Sequence, residues 1–340
     1  MWADFKQVLS LLLSVILMLS GFISSGSMPE IGNVPDTEPG VYGQYVNTFV
    51  GTGGYPWVCG NMYPGASYPF GAVKLSPDSV LPHGENLFTW ATAGYHYSDT
   101  HILGFSHTRI SGTGAQDMGH FRITPAVGNT DPTKRLNSPL LFSHEDEAAT
   151  AGYYALNLSE LNCLAELTVS EHAGVHRYTF NTKKDAHIFI DATSFLGGDG
   201  SAFDGVINID TQANTVTGAG TVKTDFTGRY GGLRAYFAAQ LSLPIKSCAT
   251  WSDGVLTQDS VSAQADDCGA DLNFGNIKGE PLEIKLAISF VSIENAEENL
   301  NTELAGMGFD DVRAQTRGTW DDYLSRIDIE TDDEQIKTVF

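Results

Sequence analysis

The chain has 340 residues, a length that suits one large all-β unit or one such unit with an appendage. With 41 acidic against 19 basic residues it carries a formal charge of −22, so no nucleic-acid partner is expected, because such binding rests on Lys and Arg neutralising phosphates. Thirty-six glycines and 11% aromatic residues fit a turn-rich sandwich whose aromatics serve both a core and a sugar-like ligand face.

Residues 2–23 are apolar from Val8 onward, carry Lys6 as their only cation, and are followed by the small residues Ser24, Ser25, Gly26 and Ser27. The run is interrupted by Ser10, Ser14 and Ser20 and falls short of the roughly 20 apolar residues a membrane span needs. A cleavable signal peptide over residues 1–27 is therefore expected, with a secreted or periplasmic product and no stable membrane anchor. Residues 28–40, rich in Pro, Gly, Glu and Asn, read as a flexible linker. The sequence divides the remainder into a β-domain over residues 41–293 and a helical region over residues 294–340.

The first segment of the β-domain holds Gly-Thr-Gly-Gly at residues 51–54, followed by Pro56. It lacks the Lys-Ser/Thr and G-x-G-x-x-G contexts of phosphate loops, so it reads as a tight loop, one able to form a wall of a pocket. Trp90 comes next, in FTWATAGY. A tryptophan can stack on the C–H face of a sugar or fill a core, and the neighbouring Thr89, Thr92 and Gly94 favour an exposed loop.

Residues 94–120, GYHYSDTHILGFSHTRISGTGAQDMGH, crowd aromatic, imidazole and hydroxyl groups between recurrent glycines. They read as short strands joined by surface loops, where binding groups concentrate. His96, His101, His107, His120 and Asp117 invite a metal site, yet the His spacings match no common ligand pattern, and zinc has no sequence support. Ser106, His107 and Asp117 could suggest a triad, but adjacent Ser and His on a strand point to opposite faces and no G-x-S-x-G elbow is present. Glu85, Asp99, Asp117 and Asp191 are candidate carboxylates for glycosidic cleavage, with solvated surface acids as the default reading.

From Cys163 onward short strands follow one another: LAELTVSEH, GVHRYTF, AHIFIDA, GVINID, NTVTGAG, LRAYFAAQL, CATWSDGVL and LEIKLAISFVSI. The last places Leu282, Ile284, Leu286, Ile288 and Phe290 on one face at the period of two. Asp253-Gly254 predicts a hairpin turn, which makes Cys248–Cys268 the expected disulfide; Cys59 and Cys163 are bridged or free. Ile293, Ala296, Leu300 and Leu304, between Ser292 and Gly306, predict a helix. Val312, Thr316, Trp320, Tyr323, Leu324 and Ile327 predict a second, packed on something large. Ile336, Val339 and Phe340 begin a third pattern, so a helical region is expected to continue past Phe340.

The blocks VNTFVGTGG, PGASYPFGAVKLSPDS, AGYHYSDTHILGFSHTRISGTGAQDMG, KLAISFVSIENAEENL and TWDDYLSRIDIE agree in order over roughly residues 45–340. Together they resemble the N-terminal β-domain and linker of glycoside hydrolase family 92, the calcium-dependent exo-acting α-mannosidases. The resemblance implies a mainly β fold, a galactose-mutarotase-like β-super-sandwich followed by linker helices, with the chain cut before an (α/α)6 barrel. It implies an inverting mechanism, with a Glu acid and an Asp base in that barrel and no catalytic residue in this chain. Inversion needs two carboxylates on opposite faces of the sugar, and calcium, a hard cation, suits mannose hydroxyls. The calcium ligands are expected mostly outside this chain.

By position in these blocks, Trp90 and His107 are the expected substrate-binding residues. Tyr55, Pro56, Trp57 and Cys59 make one loop bulkier than the family pattern, which bears on linkage preference. The implied partners are a mannose-containing glycan and an intramolecular C-terminal catalytic barrel. The resulting reading is the carbohydrate-contacting N-terminal domain of an exo-α-mannosidase; the alternative is a stand-alone carbohydrate-binding module.

Overall fold

Alternating apolar residues give the middle of the chain little choice but to form sheets. In the computed structural model, which describes residues 37–54, 60–80, 92–197 and 200–339, they do so as two antiparallel layers. The expected signal peptide, Trp90, Glu85, Cys59 and the 55–57 loop lie outside the described residues. In chain order the strands begin with β1 (Ala66–Ser67), β2 (Lys74–Val80), β3 (His101–Ser106), β4 (Arg122–Val127), β5 (Leu140–Leu141) and β6 (Glu147–Thr150). There follow β7 (Tyr153–Leu158), β8 (Cys163–Val169), β9 (Ala173–Phe180), β10 (Ala186–Asp191), β11 (Ser201–Asp210) and β12 (Thr215–Lys223). The last are β13 (Leu233–Leu241), β14 (Ser247–Ser252), β15 (Val255–Gln258), β16 (Ser262–Ala265), β17 (Cys268–Gly275) and β18 (Leu282–Ser289).

The first sheet has the order β1-β2-β3-β4-β10-β17-β14-β15, with β5 added to β3. The second runs β16-β11-β12-β13-β18-β9-β8-β7-β6. Between them lies one apolar core, to which β18 contributes Leu282, Ile284, Leu286 and Ile288 as its alternation requires. Phe290 does not continue that face. The strand stops at Ser289 and Phe290 is 42% exposed in the turn toward the helices.

Three helices follow: α1 (Ile293–Leu304), α2 (Phe309–Leu324) and α3 (Glu334–Val339). Ser292 caps α1 by accepting the Asn295 N–H at 3.2 Å, and the Asp311 carboxylate accepts the Gly308 N–H at 2.9 Å at the start of α2. Leu304, Phe309 and Val312 cover Tyr153, Ala155, Ala173, Val175 and Ala287 on the outer face of the second sheet. That sheet is consequently apolar on both faces there. Ile327, expected in the α2 stripe, lies past the helix end and is exposed.

The cysteine expectation is corrected by strand register. Cys163, Cys248 and Cys268 are free thiols, all buried. The Asp253-Gly254 turn does form, with both residues at positive φ, and it joins β14 to β15. Cys268, however, lies on β17, where it pairs with Ser252, while Cys248 pairs with Leu272. Four residues of offset at ~3.3 Å each separate the two by ~13 Å, far beyond the ~7 Å limit for a disulfide.

Asp321 of α2 joins the two ends of the described chain. Its carboxylate accepts the N–H groups of Val41, Tyr42 and Gly43 at 2.8, 3.0 and 3.1 Å, the role a capping side chain plays at a helix start. Gly40 packs against the same carboxylate so closely that a Cβ there would collide with it. Asp321→Ala is expected to lower stability by about 1–2 kcal/mol, the usual cost of losing a capping carboxylate. Hydrogen exchange should accelerate selectively at the Val41, Tyr42 and Gly43 amides while β18 stays protected; uniform acceleration would show that the contact supports the whole domain instead.

Candidate functional site

Around β2, the end of β3 and the start of β4 the outer face of the first sheet is polar and nevertheless buried, whereas farther along Ala126, Phe189 and Trp251 form an apolar cluster on it. On β2, Leu75 points into the core while Ser76 and Asp78 point outward, and Ser106, Arg122 and Asp191 occupy the same outer layer. Residues 93–119 fold over them. Arg109 descends from that segment, its side chain fully shielded, and donates to the carbonyls of Lys74, Ser76, Pro77, Ala93 and Ser106, to Ser106 Oγ and to Asp78 Oδ1. Asp78 is also paired with Arg122 Nε at 2.6 Å. Burial pulls the Arg109 guanidinium below its ordinary value, and Asp78 opposes that pull.

The residues singled out in the sequence do not converge on one centre. His107, expected from its motif block to contact substrate, is fully buried. Its Nδ1–H donates to Phe121 O at 2.6 Å, and its Nε2 accepts from His176 Nε2–H at 3.1 Å. His176 Nδ1 in turn accepts the Tyr178 hydroxyl proton at 2.9 Å. His120 donates Nε2–H to Leu233 O at 2.9 Å and accepts from Thr108 Oγ at Nδ1, 2.8 Å away. Burial drives both His107 and His120 down to about 4, with the carbonyl partners only partly offsetting it. His176 is depressed further by burial and by its neighbour His107.

Ser106 and His107 face opposite ways, Ser106 Oγ donating to Asp78 at 2.6 Å on the outer side, so no triad forms. Asp117 fastens its loop to a neighbouring turn, accepting from Thr224 Oγ at 2.6 Å, from the N–H and hydroxyl of Thr227, and from the Phe226 N–H. Burial pushes its carboxyl up, but these donors prevail and it lies below the usual range. Asp191 pairs with Arg135 at 2.7 Å. Asp99 accepts from Ser79 Oγ at 2.5 Å and is raised by burial. Each of these carboxylates is bound into the framework. Among the described residues no group of three or more His, Cys, Asp or Glu side chains is placed to hold a metal ion, so the described residues do not fit calcium.

Two cavities open near this region. One, of about 420 Å³, is lined by Asp78, Arg122, Arg135 and Asp191 together with Phe195 and Leu136, and its charges are already paired with one another. The other, of about 510 Å³, lies between the 51–54 glycine loop and a wall of Phe49, Tyr97, His144 and Glu147. Thr52 O accepts the Tyr97 N–H at 2.9 Å, and a Cβ on Gly53 would come within 2.7 Å of Tyr97 Cβ, so glycine lets this loop lie against the ring. Tyr97 is exposed, with Phe49 at its edge and His144 stacked on its face. An exposed aromatic ring beside a glycine loop at an open cleft is an element of a carbohydrate site. Tyr97 lay within the sequence block singled out for chemistry. His144 and Glu147, in the acidic stretch SHEDE, gave no local signal, because only the passage of the chain from β5 to β6 brings them beside Tyr97.

A family model described as the glycosyl hydrolase family 92 N-terminal domain matches residues 45–289, and one described as the family 92 catalytic domain matches residues 295–340. Among solved structures, a family 92 α-mannosidase from Bacteroides thetaiotaomicron in complex with mannoimidazole is 30% identical and superposes with a TM-score of 0.76 over 88% of this chain and 39% of its own. An inverting mannosidase of the same family and organism is 25% identical, with a TM-score of 0.71 over 89% of this chain and 39% of its own. An uncharacterized secreted glycosidase from Arthroderma benhamiae is 24% identical over 318 residues, 85% of this chain and 38% of its own length. The chain thus spans about two fifths of these relatives.

The buried histidines set a pH dependence of stability. Their folded-state values lie below the ordinary 6.5, so as pH falls through 6.5 the unfolded chain takes up protons that the folded chain refuses until about 4. Stability is therefore expected to be fully present above that window and to decline across it. Urea unfolding midpoints between pH 7 and 4 check this, and His120→Gln should reduce the slope by about one proton. A midpoint that does not move across the window would contradict the assignment of neutral, buried rings.

Proposed function

The chain belongs to glycoside hydrolase family 92, and on that footing we propose that it is the N-terminal, carbohydrate-contacting domain of an inverting exo-α-mannosidase, exported to the periplasm or the cell exterior. The observation that carries the reading is the 30% identity to a family 92 α-mannosidase across 88% of this chain. Export is supported by the apolar leader followed by small residues, and by the secreted glycosidase among the relatives; no helix among the described residues is long and apolar enough to cross a membrane.

In this reading the glycine-loop cavity forms part of the sugar-binding wall. The 51–54 loop lines the cavity on one side, and the exposed Tyr97 ring offers a platform for the C–H face of a hexose. Trp90 is proposed as a second stacking residue from its place before the GY motif. His107 acts from the interior, joining the two sheets through His176 of β9. The acid and base that inversion requires are assigned to the family's catalytic domain, which the proposal places as the intramolecular partner of this one. Such a division of labour gives this domain the task of holding mannose in place, on which the alignment of the reacting groups depends. Calcium, implied by the family, enters none of the steps assigned to the residues described here.

The test uses this domain joined to a family 92 catalytic domain and an α-linked mannobiose. Early product is expected to be β-mannose by NMR; α-mannose would overturn inversion, and cleavage of other glycosides but no α-mannoside would overturn the substrate class. Tyr97→Ala should raise KM about tenfold with a smaller change in kcat, since a stacking platform serves ground and transition states alike. Trp90→Ala is expected to weaken catalysis while leaving melting temperature nearly unchanged, whereas truncating a core tryptophan costs about 3–5 kcal/mol.

A further inference from the structure

The wall of the glycine-loop cavity is built more specifically than a sugar platform alone requires. Glu147 opens β6 with its side chain 1% exposed, at the place where the chain passes from the first sheet to the second. Three donors converge on it: the Tyr95 hydroxyl at 2.7 Å and His144 Nδ1 at 2.5 Å on Oε1, and the Tyr154 hydroxyl at 2.7 Å on Oε2. A carboxylate only accepts, so the nitrogen facing it carries a proton and the tautomer of neutral His144 is fixed as Nδ1–H. The second proton can enter only at Nε2.

The ring so held lies flat on Tyr97, centroids 4.0 Å apart and planes inclined by 8°. Phe142 meets the imidazole edge-on at 5.2 Å. Close face-to-face stacking is the less favoured arrangement for two neutral rings, whereas a cation over a phenol face is attracted by its quadrupole. Tyr97 thereby has one face occupied by His144, Phe49 at its edge 6.0 Å away, and its N–H tied to the glycine loop. Tyr97 is 46% exposed and lines the cavity, so part of its ring stays accessible to a ligand.

We infer that His144 is the positioning residue of this subsite: clamped by Glu147 and laid on Tyr97, it fixes the Tyr97 ring as the platform on which a hexose stacks. The inference rests on the reading of the cavity as a sugar wall. The groups that face His144 are Glu147 from β6, Tyr95, Asp99 and the Tyr97 carbonyl from the loop before β3, with Tyr154 of β7 behind Glu147. Burial disfavours the imidazolium, but Glu147, the Tyr97 carbonyl and Asp99 outweigh it and lift His144 above 6.5. The cationic form is therefore favoured over that of a free imidazole, and the clamp loosens as pH rises through the elevated value.

The experiment is 19F NMR on the whole chain labelled with 3-fluorotyrosine, the Tyr97 signal being assigned by its loss in Tyr97→Phe, with methyl α-D-mannopyranoside as probe. The Tyr97 signal is expected to follow one titration above pH 6.5; His144→Gln, which keeps a donor to Glu147, should abolish it, and Glu147→Gln should move it to lower pH. Mannoside should perturb the same signal, binding about threefold or more tighter at about pH 5.5 than at about pH 8.5, with that difference absent in His144→Gln. Dispersion of the other fluorotyrosine signals shows that each variant is folded. A Tyr97 signal that does not titrate, or that titrates equally in His144→Gln, would overturn the clamp whether or not sugar binds. A signal that titrates as expected but ignores mannoside would overturn the platform role together with the sugar-wall reading, leaving the clamp as a structural contact.

Discussion

Arg109 carries a charge that no water reaches, and the surrounding chain is arranged to tolerate it. A guanidinium has five N–H donors, and here every direction is met by a backbone carbonyl, a hydroxyl or the Asp78 carboxylate. The acceptors come from β2, from the loop before β3 and from the end of β3, so three separate stretches must be in register before the charge is satisfied. Each contact alone is modest, but leaving such an ion without its partner typically costs about 3–5 kcal/mol. The layer of loops over the first sheet is held by this one inserted side chain in much the way the second sheet is held by the apolar faces of α1 and α2.

That asymmetry governs how much of the fold is legible from residues alone. β18 announces itself, because Leu282, Ile284, Leu286 and Ile288 alternate with smaller or polar neighbours. β7 does not: Tyr153 and Tyr154 are buried on opposite faces, one under the helices and one in the core, so the period of two disappears. β2 is hidden for a different reason, since Ser76 and Asp78 look like surface residues and are sealed only by loops distant in sequence. β17, written CGADLNFG, has too few branched or aromatic residues to stand out. Its register, which sets Cys268 opposite Ser252, is what separates Cys268 from Cys248.

The site was legible in the same uneven way. Glycines at 51–54 and between 94 and 119 mark loops that come close to something, and one of them does line a cavity. Histidine content is a poorer guide. His107 and His120 are present for hydrogen bonds inside the protein, a use indistinguishable in sequence from ligand contact, while His144 gains its place only from the crossing between sheets. Residue type indicates which chemistry is available; which side of a strand is sealed decides whether it is used.

The Asp321 contact has a consequence for synthesis. Val41, Tyr42 and Gly43 leave the ribosome early, yet the carboxylate that satisfies their N–H groups lies about 280 residues later. At 5–20 residues per second the interval is on the order of 14–56 s, far longer than a loop or hairpin needs to form. During that time the segment leading into the 51–54 loop has no fixed seat, and the cavity wall it will form is incomplete. The helices that follow β18 thus determine when the first described residues of the domain settle, and a pause in translation before α2 would prolong the exposure of the segment that shapes the cavity.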